Sequence, residues 1–171
     1  MAYDARPGGA AMYRLDPDGS VHRIMTELTV SNGLCWSPDG QIAYYVDTAT
    51  QAIDALGFDP GSGSFTDRRT VVRIDPEDGS PDGLTVDAAG RIWVALWDGH
   101  GVRCYEPDGQ QIEQISVPVA RVTSCAFGGP DLGDLYITTS RFGLTHPEPV
   151  AGSLFHCRPG VRGTPAATFA G

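Results

Sequence analysis

The sequence predicts an all-β fold, an incomplete β-propeller of about four blades, on three observations. No stretch of ten residues carries an apolar stripe of helical period free of Gly and Pro. Short apolar runs instead alternate with turn motifs, and the 22 glycines and 13 prolines fall at intervals rather than in one linker. The third observation is an internal repeat: Asn32-Gly-Leu-Cys-Trp-Ser-Pro-Asp-Gly-Gln-Ile overlays Asp82-Gly-Leu-Thr-Val-Asp-Ala-Ala-Gly-Arg-Ile without a gap, fifty residues later. A looser third copy opens at Thr123-Ser-Cys-Ala-Phe-Gly-Gly and runs into Leu135-Tyr-Ile-Thr. Units of roughly 40–50 residues mark the four-stranded blades of a propeller, and the 171 residues make just under four of them. A β-sandwich does not predict gap-free repeats at that length.

In chain order, strands are expected over residues 12–15 and 21–25, which flank Asp16-Pro17-Asp18-Gly19. Residues 33–36 and 42–46 flank Ser37-Pro38-Asp39-Gly40, and 52–58 and 70–74 lie either side of Asp59-Pro60-Gly61. Residues 84–86 and 92–96 flank Asp87-Ala88-Ala89-Gly90, and 102–105 and 112–117 flank Glu106-Pro107-Asp108-Gly109. The last three runs are 125–127, 135–139 and 154–157. Proline presets φ at the second turn position and glycine takes the φ > 0 position that closes the hairpin. One region, residues 1–171, is expected.

A chain of this length builds one hydrophobic core and is too short for two ordinary domains. Val, Ile, Leu, Phe and Tyr recur throughout, which argues against disorder. The net charge of −9 leaves no electrostatic footprint for nucleic acid, and no apolar run approaches the roughly 20 residues of a membrane helix. Residues 1–12 carry no apolar leader segment. Cys35, Cys104, Cys125 and Cys157 show no metal-ligand spacing and sit in strand-like runs, three of them beside aromatics, so free, buried thiols and the cytoplasm are expected.

In a propeller the first strand of each blade lines the central channel and the chain meanders outward. Asn32 and Asp82 then stand at the start of two inner strands, on the face that also gathers loops 47–51, 97–101 and 141–152. Two oxygen-bearing side chains at equivalent positions, converging on one axis, would suit a divalent cation. Asn-Gly and Asp-Gly are equally turn dipeptides that tolerate left-handed backbone, and both readings stand on spacing alone. Trp97, His100 and Arg141 are candidates for the same mouth, whereas Asp47 is expected to cap a turn. Asp39, Asp87 and Asp108 belong to far-face turns, Trp36 and Trp93 to the inter-blade core, and His22, His146 and His156 have no partner at ligand spacing.

At these residues the chain resembles the SMP-30/gluconolactonase/regucalcin-like (LRE) family. The matching words are Tyr13-Arg-Leu-Asp-Pro-Asp-Gly, Ser31-Asn-Gly-Leu-Cys-Trp-Ser-Pro-Asp-Gly, Tyr44-Tyr-Val-Asp and Ser80-Pro-Asp-Gly-Leu-Thr-Val-Asp. They continue through Gly90-Arg-Ile-Trp-Val-Ala-Leu-Trp, Thr123-Ser-Cys-Ala-Phe-Gly-Gly-Pro-Asp-Leu, Leu135-Tyr-Ile-Thr-Thr and Pro159-Gly-Val-Arg-Gly, from about residue 12 to the end. The resemblance implies a six-bladed propeller, of which this is the C-terminal portion. It implies one divalent ion (calcium, zinc or manganese) in the channel, and a sugar lactone as the small-molecule substrate. It places metal-binding roles on Asn32 and Asp82, and a proton donor/acceptor role on Asp82. The family's metal-binding Glu and its substrate-gripping residues have no counterpart here, so a truncated or degenerate copy is expected, with open blade edges that invite self-association.

The reaction expected of the intact protein is opening of an aldonolactone to its sugar acid. No Gly-x-Ser-x-Gly elbow is present, which argues against a covalent acyl-enzyme. A non-catalytic propeller acting as a binding module and a phosphotriesterase-like hydrolase are the alternatives.

Overall fold

A computed structural model describes residues 4–168 of the chain. Both ends of the expected region 1–171, and the start of the segment 1–12 read as free of a leader, lie outside the described residues. Strands β1 (Ala10–Leu15) and β2 (Val21–Leu28) form a two-stranded sheet. A four-stranded meander follows: β3 (Ser31–Trp36), β4 (Ile42–Asp47), β5 (Ala52–Asp59) and β6 (Ser64–Arg73). The next is β7 (Ser80–Val86), β8 (Ile92–Trp97), β9 (Gly101–Tyr105) and β10 (Gln111–Ser116). Strands β11 (Val122–Gly128), β12 (Asp134–Thr139) and β13 (Leu154–Cys157) make a three-stranded sheet. All neighbours pair antiparallel. The architecture is an incomplete propeller: two whole blades between two partial ones.

Every expected strand is present, and the turns between them behave as their composition dictates. Gly19, Gly40 and Gly109 sit at φ of +81°, +69° and +96°. The Asp before each accepts a backbone N–H two residues on, from Ser20, Gln41 and Gln110. No helix among the described residues is long and apolar enough to cross a membrane.

Three apolar seams hold the blades side by side. Tyr44, Val46, Ile53 and Ala55 of the first whole blade meet Leu84, Val86, Ile92, Val94 and Leu96 of the second. Trp93, Ala95, Val102 and Cys104 turn the other way, onto Val122, Cys125, Leu135 and Ile137 of the three-stranded sheet. Tyr45 and Leu56 meet Leu28, with Met12 and Met25 packed alongside. Strand β8 is therefore buried on both faces, which is why Ile92-Trp-Val-Ala-Leu reads as a continuous apolar run rather than an alternation. The outer strands β6 and β10 are mostly exposed.

Trp93 lies fully buried in a seam as expected, its ring edge-on to Phe127. Trp36 does not. It is 37% exposed and packs edge-on against Phe58 within its own blade, because it ends β3 at the rim. All four cysteines are free thiols; Cys104 and Cys125 are buried, whereas Cys35 and Cys157 are only partly so. Burial pushes the Cys104 thiol up to about 12, which leaves it unreactive near neutrality.

Candidate functional site

Strands β3, β7 and β11 form the inner edges of consecutive sheets and pack side by side, β3 against β7 and β7 against β11. Each carries an irregularity near its start. The pairing with the second strand slips between Ser31 and Leu34, between Pro81 and Leu84, and between Val122 and Ser124. These are β-bulges at equivalent places, and a bulge re-aims the side chains it contains. Asn32 and Asp82 occupy the first two, and Thr123 falls in the third.

The turn reading of the Asn-Gly and Asp-Gly pairs does not hold. Both lie inside strands, and none of Asn32, Gly33, Asp82 or Gly83 has a positive φ. Their glycines serve close approach instead. A Cβ on Gly33 would stand 2.8 Å from the Asp82 carbonyl oxygen and the Leu84 nitrogen. One on Gly83 would stand 2.9 Å from the Cα of Ser124. Glycine next to each polar residue is what lets adjacent inner strands touch. Pro81 is tolerated within β7 because β7 is an edge strand.

The strands bring Asn32 and Asp82 together. The half-buried Asp82 carboxyl is pushed up to about 6, chiefly by burial, while hydrogen bonds from the Asn32 side chain and the Gly83 N–H act in the other direction. Asn32 also donates through Nδ2 to Thr48 Oγ1 at 3.1 Å, and Thr48 donates to the Pro81 carbonyl at 2.8 Å. A carboxylate beside an amide offers oxygen donors of the kind hard divalent cations take. The fit is that of part of a coordination shell: among the described residues no group of three or more His, Cys, Asp or Glu converges.

The strand connections place loops 47–51, 97–101 and 141–152 at the same end of the blades as these bulges. Asp47 is buried and accepts from the N–H groups of Thr29 and Val30 at 2.7 Å each, so it braces the entry to β3. Trp97 lies beneath the guanidinium of Arg121, 4.7 Å from ring centroid to Cζ. Arg121 also pairs with Asp98 at 3.1 Å and donates to the Phe142 carbonyl. Glu148 accepts from Ala120 N at 2.8 Å. His100 and Arg141 are exposed and reach neither Asn32 nor Asp82 by any hydrogen bond. The far-face carboxylates Asp39, Asp87 and Asp108 bond only within or beside their own turns. His22 pairs with Asp16 and His156 with Asp134, away from the bulges.

Sequence reasoning missed Thr48 and Arg121. Nothing local marks Thr48, whose partners lie 16 and 33 residues away. Arg121 stands two residues before the third repeat copy, and its partners come from two different loops.

The fold and this pair of side chains define a propeller whose channel face presents a carboxylate and an amide from neighbouring blades. The family model described as "SMP-30/Gluconolactonase/LRE-like region" matches residues 1–141, and the chain belongs to that family. A Bacillus subtilis (strain 168) relative, provisionally named sugar lactone lactonase YvrE, is 43% identical over 167 residues, 95% of this chain and 57% of that protein. Regucalcin of Danio rerio is 37% identical over 179 residues, covering 100% of this chain and 61% of its own length. Among solved structures, the calcium-binding regucalcin of Agrobacterium tumefaciens strain C58 superposes with a TM-score of 0.88 at 30% identity, over 96% of this chain and 57% of that one. The chain thus spans about three fifths of the length of the curated relatives it matches.

Proposed function

We propose that this chain carries part of the active site of a metal-dependent sugar lactone hydrolase, with Asn32 and Asp82 as two of the groups that hold the ion. The observation that supports it most is the juxtaposition of these two side chains by matched bulges in neighbouring inner strands. The names of the relatives point the same way, as does membership of a gluconolactonase-like family. Calcium, zinc and manganese all accept such oxygen donors, and two protein donors, one of them neutral, hold any of them weakly.

A bound divalent ion supplies Lewis acidity toward a lactone carbonyl. The residues of this chain supply the rest. In this reading Asp82, whose proton affinity burial raises toward neutrality, takes a proton from water and returns it to the ring oxygen as the ester opens. Asn32 beside it works against that rise and favours the ionised form. Cys104 and Cys125 are buried, and the Ser20–His22 contact at 3.1 Å lies at an exposed far-face turn, away from Asn32 and Asp82, so direct attack by water is favoured over an acyl-enzyme.

The test is ring opening of five- and six-membered aldonolactones, followed by acid release, with the full chain and added calcium, zinc or manganese. Turnover that disappears on chelation and in Asp82→Asn is expected. Turnover indifferent to both, or none with any of the three ions, overturns the reading in favour of a propeller that binds without catalysing.

A further inference from the structure

Resting on the metal-site reading above, we infer that Thr48 is a positioning residue that sets which atom of Asn32 faces the ion. Its hydroxyl has one hydrogen, and the Pro81 carbonyl at 2.8 Å only accepts, so that hydrogen is committed to Pro81. Toward Asn32, 3.1 Å away, Thr48 Oγ1 is therefore left with lone pairs alone. Those accept from Nδ2 and would repel Oδ1. The amide is locked with nitrogen toward Thr48 and oxygen away from it, the orientation in which Oδ1 is free for a cation. A flipped amide would present its NH2 group to the ion instead.

The same hydroxyl ties the turn after β4 to the backbone of β7 one residue before Asp82. One side chain thus governs both the orientation of the first donor and its register against the second. Thr48 is half-buried, and its hydroxyl bonds to Asn32 on one side and Pro81 on the other. The arrangement is that of an outer-shell group whose loss lowers metal affinity about 10–100-fold.

The experiment is calorimetric titration of the full chain, Thr48→Val and Thr48→Ser with calcium and with zinc, with thermal unfolding of each as a fold control. Thr48→Val keeps the shape and removes the hydroxyl; it is expected to bind at least tenfold more weakly, and Thr48→Ser to restore affinity to within about threefold of the parent. Equal affinity of a folded Thr48→Val and the parent overturns the inference. A second measurement needs no variant. Asn32 is the only asparagine in the chain, so selective asparagine 15N labelling yields a single side-chain amide pair in NMR spectra. Slowed hydrogen exchange of that pair without any ion supports the lock, and exchange at the rate of a free asparagine overturns it. Failure of the parent to bind either ion refutes the metal reading, and the amide exchange still decides whether Thr48 holds Asn32.

Discussion

Asp82→Asn is expected to make the ion-free chain more stable while removing its affinity for divalent cations. The carboxyl is raised from 3.8 to about 6 in the folded chain because burial disfavours its charge. A group of this kind binds its proton more tightly folded than unfolded, so the native state loses stability as pH rises from about 4 to about 6, and the cost is complete above that window. Replacing it by a neutral isostere removes the cost. After solvent screening the gain is about 1–2 kcal/mol at pH 7, or about 3–6 °C in the unfolding midpoint. The gain vanishes below pH 4, where the parent carboxyl is already protonated. Ion affinity falls at least 100-fold over the same substitution, since the one anionic donor is gone. Thermal melts of both proteins at pH 3.5 and 7, with and without calcium or zinc, check it. A variant less stable than the parent at both pH values would mean that Asp82 is an ordinary structural carboxylate. Stability given up at a residue that holds a ligand is the usual mark of a functional position.

The second large effect falls on the opposite face, at Asp87. Its side chain is fully buried. Oδ1 accepts from the N–H groups of Ala89 and Arg91 at 2.9 and 3.0 Å. Oδ2 accepts from Arg91 Nε at 2.7 Å and Trp93 Nε1 at 3.0 Å. One carboxylate therefore closes the β7–β8 turn, neutralises a partly buried arginine and anchors the indole that fills the seam between the last two sheets. Asp87→Ala leaves all four donors without their acceptor, and is expected to cost about 3–5 kcal/mol. Asp87→Asn keeps one acceptor oxygen and should cost roughly half as much. Urea unfolding with an unchanged slope reads the difference. A loss under about 1 kcal/mol for Asp87→Ala would mean that the seam does not depend on this anchor. Asp82 and Asp87 are five residues apart on one strand and turn, yet one substitution is expected to stabilise and the other to destabilise.

That contrast shows how much was legible in the sequence. The strand runs and hairpin turns were readable because they are local: an apolar run of period two or a Pro-Asp-Gly turn needs no distant partner. The gap-free repeat made the blades visible, and it placed Asn32 and Asp82 at equivalent positions. What was not legible was the conformation at those positions. Pro81-Asp82-Gly83 has turn composition, so β7 was expected to begin at Leu84, whereas it begins at Ser80. The reason is tertiary. Gly83 is there because Ser124 of the next sheet lies against it, and Gly33 because the β7 backbone does. Trp36 failed as a core residue for a related reason, since burial at a strand end depends on what the neighbouring blade places over the rim. Thr48 was invisible because its whole role is carried by bonds to Asn32 and Pro81, far away in the chain.

The central claim is that a divalent cation sits between the bulges of β3 and β7. Paramagnetic broadening by manganese, titrated into the 15N-labelled full chain, tests it most directly, because the loss of each amide signal reports distance from the ion. The account predicts that the amides of residues 32–34, 48, 82–84 and 123–124 vanish first, at substoichiometric manganese, and that calcium restores them. Loss that begins instead at the acidic far-face turns around Asp16 and Asp59, or that spreads evenly over the molecule, would contradict it.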